Sequence, residues 1–178
     1  MSTLGKEELT NAFTELGQLA QAQDTSIELV IVGGAAMVLA YAARLSTHDV
    51  DAAILSPKEA RIVRALAKEV AGKRGWAEDW LNDSAKGYLV GISKGEVVFS
   101  APGIEVRIPK VTQLLAMKLS AWRDDVDIAD ARLLLQQIPA SSKRDIVWKQ
   151  ITPYLVTGRE LKAQYAFWDL WESLYGDG

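Results

Sequence analysis

The run Ile27-Glu28-Leu29-Val30-Ile31-Val32, stopped by Gly33-Gly34, constrains the fold more than any other feature of the chain. It is almost continuously apolar and rich in β-branched residues, so it reads as a strand buried on both faces. A strand of that kind needs other layers above and below it. The flanking sequence supplies them. Before it, Leu9, Phe13, Leu16 and Leu19 recur at helical spacing and predict an amphipathic helix over residues 6–22. After it, the alanine-rich residues 35–45 predict a buried helix that starts directly at the glycines.

Residues 49–55 predict a second strand. Ser56, Pro57 and Glu59 match a capping box with proline at the first helical position, which predicts a third helix running to about residue 74. Residues 75–86 have no clean period and read as a loop with at most one helical turn. Short strands are expected at 88–92, 97–100 and 104–108, separated by Ser-Lys-Gly and Ala-Pro-Gly turn signals, as a meander on the sheet edge. Everything after Pro109 reads as helical: 111–122, 125–137, and two more helices opened by Ser142/Asp145 and Thr157/Glu160. This order predicts an α/β (α+β) fold, a mixed β-sheet core with flanking helices and a helical C-terminal tail. With 178 residues, 49% of them hydrophobic, and no internal repeat, one domain over 1–178 is expected, its core at about 27–138 and its tail at 139–178.

Composition removes several chemistries. The chain has no cysteine, which excludes a disulfide framework, a thiolate metal site and a cysteine nucleophile, and points to a reducing, cytoplasmic setting. MSTLGKEELT carries no basic region followed by an apolar run, so no secretory leader is expected. The longest apolar stretch, residues 29–43, is too short to span a bilayer and is broken by the glycine pair, so no membrane partner is expected. The net charge of −3 means that RNA would have to bind through a local basic patch. Trp148, Trp168 and Trp171 read as core packing, with an interface as the alternative.

The chemistry-bearing residues lie around the first two strands. A strand that runs into Gly33-Gly34 and a helix presents unhindered backbone N–H groups suited to phosphate, although a strand-to-helix packing turn has the same sequence. Asp49 and Asp51, one residue apart on a predicted strand, project from the same face, while Val50 points the other way. Their Cα atoms should lie roughly 6.5–7 Å apart, so both carboxylates can reach one or two Mg²⁺ ions. Mg²⁺ combines few protein carboxylates with phosphate oxygens, so the two features together suit a metal-bound triphosphate. His48 is the only histidine, which excludes a histidine triad or cluster, and the serines have no nucleophile-elbow pattern to support a hydrolase.

Gly33-Gly34, a helix, then Arg44, Thr47 and Asp49-Val50-Asp51 resemble the signature of the nucleotidyltransferase superfamily, the DNA polymerase beta-like fold. Trp80-Leu81-Asn82-Asp83, the stretch Leu114 to Arg123 and Asp127-Ile128-Ala129-Asp130-Ala131 extend the resemblance over roughly residues 27–138. They are similar to a bacterial branch related to the abortive-infection (AbiEii-type) toxins of type IV toxin–antitoxin systems. The resemblance implies that Gly33, Gly34 and Thr47 bind nucleotide, that Asp49 and Asp51 hold Mg²⁺ or Mn²⁺, and that Lys118 meets a triphosphate oxygen. It also implies that Asp127, or Asp130, is a catalytic or structural carboxylate. The donor would be a nucleoside triphosphate, the acceptor a tRNA end or a protein, and a cognate antitoxin a possible partner. On the residues alone Lys118 reads equally as a solvated helix lysine, and Asp127 and Asp130, at i, i+3, as flankers of Arg123 or Arg132. A third carboxylate on a later strand is usual in the superfamily, and Glu105 is the strand candidate here. The cations expected to form an acceptor groove are Arg107, Lys110, Arg123, Lys143, Arg144, Lys149, Arg159 and Lys162.

Overall fold

The computed structural model describes residues 3–176. The chain gathers into two compact units. One runs to Lys86 and takes in Lys94–Pro109; the other is made of Gly87–Ser93 and the chain from Lys110 onward. The fold is mixed α+β, with seven α-helices, a five-stranded mixed sheet and a two-stranded sheet among the described residues.

The first unit holds β1 (Leu4–Gly5), α1 (Lys6–Gln21), β2 (Ile27–Val32), α2 (Gly33–Leu39), β3 (Ser46–Thr47), β4 (Val50–Ser56), α3 (Ala60–Arg74), β5 (Leu81–Asn82), β6 (Val97–Ala101) and β7 (Ile104–Arg107). The sheet order is β5-β4-β2-β7-β6, with β2 antiparallel to β4 and parallel to β7. The central place of β2 is what its apolar composition demands, and Leu29 to Val32 are fully buried. On one face, Phe13 of α1 packs its ring 5.9 Å from that of Phe99 and 6.2 Å from that of Trp80. A Cβ on Gly17 would lie 2.5 Å from the Pro102 carbonyl oxygen and 2.7 Å from Ile104 Cγ2, so α1 crosses the β6–β7 hairpin at a distance only glycine permits. The Trp80 indole N–H donates to the Ala67 carbonyl at 2.8 Å and ties the segment before β5 to α3.

Three expectations fail in this unit. The helix after the glycines stops at Leu39: Ala42 is left-handed (φ 49°), the Ala43 N–H reaches back to the Met37 carbonyl, and Leu45 is 96% exposed. The capping box at Ser56 does not form. Ser56 stays in β4, paired with Glu28, and its hydroxyl donates to the Ser26 carbonyl at 3.2 Å, while α3 begins four residues later without a side-chain cap. The meander is a two-stranded hairpin, with β7 inside the sheet and β6 at its edge.

The second unit contains α4 (Val111–Ala121), α5 (Asp125–Gln136), α6 (Arg144–Ile151) and α7 (Glu160–Tyr175). Residues 88–92, expected as a strand, form none, because their polar groups go to a side chain instead of a ladder. The buried Gln113 amide donates to the carbonyls of Gly91 at 3.0 Å and Val90 at 3.4 Å, and its Oε1 accepts from the Ser93 N–H and hydroxyl at 2.8 and 2.6 Å. Helices α6 and α7 start close to the predicted positions, yet neither has a side-chain N-cap; Asp124, capping α5, does that work where no cap was foreseen. Trp148, Trp168 and Trp171 cluster around Phe167 with ring centroids 5.3–5.7 Å apart, which makes them packing residues. Arg159 and Lys162 donate to the Ser120 and Ala121 carbonyls at 3.1 and 3.0 Å, placing two cations at the negative end of α4.

Candidate functional site

β2 delivers the chain into Gly33, whose left-handed φ of 62° turns it into α2. β4 runs alongside, with Asp51 in register with Val32, so the aspartate arrives beside the glycine turn. A Cβ on Gly33 would lie 3.4 Å from Asp51 Oδ2. Gly34 is closer to its neighbours still. A Cβ there would lie 2.5 Å from Thr47 Oγ1 and 3.4 Å from Arg44 Nη1. Thr47 in turn donates to the Asp49 carbonyl at 3.1 Å, so Gly33, Gly34, Thr47, Asp49 and Asp51 are brought together.

Val50 is fully buried, and the carboxylates on either side of it are linked by a chain of hydrogen bonds. The Asn82 amide donates to Asp49 Oδ2 at 3.1 Å, the Ser84 N–H donates to Asn82 Oδ1 at 2.8 Å, and the Ser84 hydroxyl donates to Asp51 Oδ1. Asn82 lies on β5 in register with Asp51. Neutral donors thus orient one oxygen of each aspartate. Asn82 and Ser84 had no assigned role in the sequence, because a two-residue strand leaves no periodic signal and only its pairing with β4 brings them to the aspartates.

Glu105 does not join this group. It is in register with Glu28, four residues along β2 from the partner of Asp51, roughly 13 Å away along the strand. Its carboxylate meets Arg107 at 2.7 Å. Among the described residues no set of three or more His, Asp or Glu comes together as a metal cage. The donor set is therefore two carboxylates, the number Mg²⁺ uses when substrate phosphates complete its octahedron, so the residues present fit a metal–triphosphate and not a free-standing metal centre.

Lys118 and Asp127 form a separate cluster in the second unit. The ammonium of Lys118, on α4, sits 3.1 Å from Asp127 and 2.7 Å from Asp130, both on α5. The carboxylate side chains are 2% and 6% exposed and that of the lysine 13%. Asp127 also accepts from the backbone N–H and Nε of Arg123, each at 3.0 Å. Burial opposes ionisation of Asp127, but the two Arg123 hydrogen bonds and the Lys118 ammonium outweigh it and hold the carboxyl down at about 2. The i, i+3 spacing of the two aspartates thus serves to face one lysine. Residues 7–152 match the protein family described as Nucleotidyltransferase of unknown function (DUF6036).

The chain belongs to this family. No curated protein and no solved structure matches it. The nucleotidyltransferase match takes in β2 through α6, hence both the Gly33–Asp51 group and the Lys118–Asp127 cluster, and leaves α7 outside. Among the described residues of this nucleotidyltransferase-family chain no helix is long and apolar enough to cross a membrane. Several cations expected to line an RNA groove are occupied within the chain: Arg107 by Glu105 and Glu28, Arg123 by Asp127, and Arg159 and Lys162 by α4 carbonyls.

Proposed function

We propose that the protein is a metal-dependent nucleotidyltransferase that moves a nucleoside monophosphate from a nucleoside triphosphate to a hydroxyl acceptor. The observation that carries the reading is the Asp51 carboxylate held against the Gly33 turn, with Asp49 tethered beside it. A phosphate needs close backbone approach and an accompanying cation needs hard anionic oxygens; here the Gly33 turn and the adjacent start of β4 offer both. Asp49 and Asp51 would hold Mg²⁺ or Mn²⁺, which supplies neutralisation of the triphosphate charge and activation of the acceptor oxygen.

The first amides of α2 have no acceptor within the helix and are suited to phosphate oxygens, and Thr47 fixes the approach to Asp49. Asn82 and Ser84 keep the two carboxylates in one orientation, which matters because phosphoryl chemistry of this type is mainly positioning and electrostatics. In the transfer, the acceptor oxygen bonds to the α-phosphorus, the α–β phosphoanhydride bond breaks, pyrophosphate leaves, and the hydroxyl proton passes to solvent. Lys118, with Asp127 and Asp130, supports the reading as a charged cluster within the family-matched region; a triphosphate contact by Lys118 would compete with two carboxylates already in place. The resemblance to abortive-infection toxins supports a tRNA end as acceptor and a cognate antitoxin as partner in the cytoplasm.

Incubation with each labelled triphosphate, Mg²⁺, total RNA and cell lysate tests the proposal. Label on RNA or on a protein, lost in Asp51→Asn, is the expected result. A second reading draws on the two-carboxylate donor set: a module that binds nucleotide without turnover. Triphosphate binding with no label in any fraction would favour it.

A further inference from the structure

Thr47 and Ser84 both bring a hydroxyl to the Gly33–Asp51 group, and the two hydroxyls face different parts of it. Thr47 Oγ1 donates to the Asp49 backbone carbonyl at 3.1 Å and lies 2.5 Å from where a Cβ on Gly34 would stand, so its proton is committed to the main chain on the glycine side. The Ser84 hydroxyl donates instead to a side-chain oxygen, Asp51 Oδ1. The other oxygen of that carboxylate, Oδ2, is the one that faces Gly33, 3.4 Å from where its Cβ would stand. A single carboxylate therefore separates the Ser84 hydroxyl from the turn suited to phosphate.

The placement of Ser84 is set by its backbone. Its N–H donates to Asn82 Oδ1 at 2.8 Å, and Asn82 is fixed by its register with Asp51 and by its amide bond to Asp49 Oδ2 at 3.1 Å. The side chain itself is exposed, so no packing prevents its hydroxyl from turning about one bond. A carboxylate that accepts from an alcohol O–H draws the proton away and leaves the oxygen more nucleophilic. An oxygen tethered at a reacting centre can also act at an effective concentration of about 10⁵ M or more, which no dissolved hydroxyl matches.

We propose that Ser84 is a self-modification site: with a triphosphate bound and no external acceptor present, the chain transfers the nucleoside monophosphate to its own Ser84, in cis. The inference rests on the nucleotidyl-transfer reading and leaves its RNA or protein acceptor in place for productive turnover. In the step, Ser84 Oγ bonds to the α-phosphorus, the α–β phosphoanhydride bond breaks and pyrophosphate leaves with its electron pair. The hydroxyl proton passes along the hydrogen bond to Asp51 Oδ1 and on to solvent. The product is a phosphodiester on Ser84 that stands against Asp51, blocks a second triphosphate and stops the reaction at one nucleotide per chain. A chain without its acceptor thereby switches itself off.

Intact mass spectrometry of the full chain incubated with Mg²⁺ and each nucleoside triphosphate, with RNA and lysate left out, provides the test. The expected result is a gain of one nucleoside monophosphate per chain, located on Ser84 by peptide sequencing and formed at a rate unchanged by dilution of the protein. Ser84→Ala should lose the gain, and Ser84→Thr, which restores a hydroxyl, should recover it. Thermal unfolding of the same protein with Mg²⁺ and α,β-methylene triphosphates, which can bind but cannot transfer, reports the nucleotide site separately. A thermal shift without any gain in mass would overturn self-modification and leave the transfer reading to its external acceptors. A gain on another residue, or a rate that rises with protein concentration, would overturn it as well. Absence of both the shift and the gain would remove the transfer reading and this inference with it.

Discussion

Replacing Asp127 by asparagine removes a charge that the second unit is built to hold. The carboxyl lies at about 2 against an ordinary value of 3.8, although burial works against its ionisation. The folded value is the lower one, so the native state keeps the group deprotonated where the unfolded chain has begun to take up its proton. Its contribution is therefore fully present above the unfolded value and drains away as pH falls through the folded one. The displacement corresponds to roughly 2 kcal/mol above about pH 5 and to about half of that by pH 3. Urea unfolding of wild type and Asp127→Asn at a series of pH values isolates this component, since the other carboxylates contribute equally to both proteins. Asp127→Asn should be the less stable at neutral pH by at least that amount, because the largely buried Lys118 also loses one of its two carboxylate partners. The gap should then narrow by about 1 kcal/mol between pH 5 and pH 3. A gap that stays constant over that range would mean that the carboxylate is not held ionised by Arg123 and Lys118.

Other expectations follow from the same geometry. Gly34→Ala forces a Cβ to within 2.5 Å of Thr47 Oγ1, so it should lower the melting temperature and abolish nucleotide-dependent stabilisation. Gly33→Ala meets only an ordinary contact with Asp51 and should cost about 1–2 kcal/mol for its left-handed backbone, read by urea titration. Asn82→Asp places a third carboxylate in register with Asp51; differential scanning should find it destabilised in chelator and recovered by millimolar Mg²⁺, whereas indifference to Mg²⁺ would argue against a cation at this position. Arg159→Ala combined with Lys162→Ala uncovers the last carbonyls of α4 and should cost about 1–2 kcal/mol in urea titration.

The parts of the fold that were legible in the sequence are those whose signal is local and repeated. β2 has the bounds its apolar run predicts, and α1, α4 and α5 end within a residue of their predicted limits, because each carries several turns of unbroken pattern. Ser56 was illegible for the opposite reason: a four-residue cap pattern competes with a strand pairing to Glu28 that no local window contains. Tyr88, Val90 and Ile92 alternate like a strand, yet the fate of that segment depends on Gln113, some twenty residues on. At the candidate site the glycine pair and the Asp-Val-Asp spacing were readable as residue types on adjacent elements. Asn82 and Ser84 were not, since their roles exist only once β5 lies against β4. Lys118 was read as a choice between phosphate and solvent, and the buried pair of carboxylates on α5 offers it a third environment.

On the proposed function, Gly33, Gly34, Asp49 and Asp51 form a site for a metal-bound triphosphate. Thermal unfolding with and without Mg²⁺ and each nucleoside triphosphate tests it most directly. At a hundredfold excess over Kd a ligand of the native state adds about 2.7 kcal/mol, which for a chain of this size raises the melting temperature by roughly 5–11 °C. A rise of that order is expected for at least one triphosphate, dependent on Mg²⁺ and absent in Asp49→Asn/Asp51→Asn measured against that variant's own baseline. No shift in the wild type with any triphosphate at millimolar concentration, or an equal shift in the double variant, would contradict it.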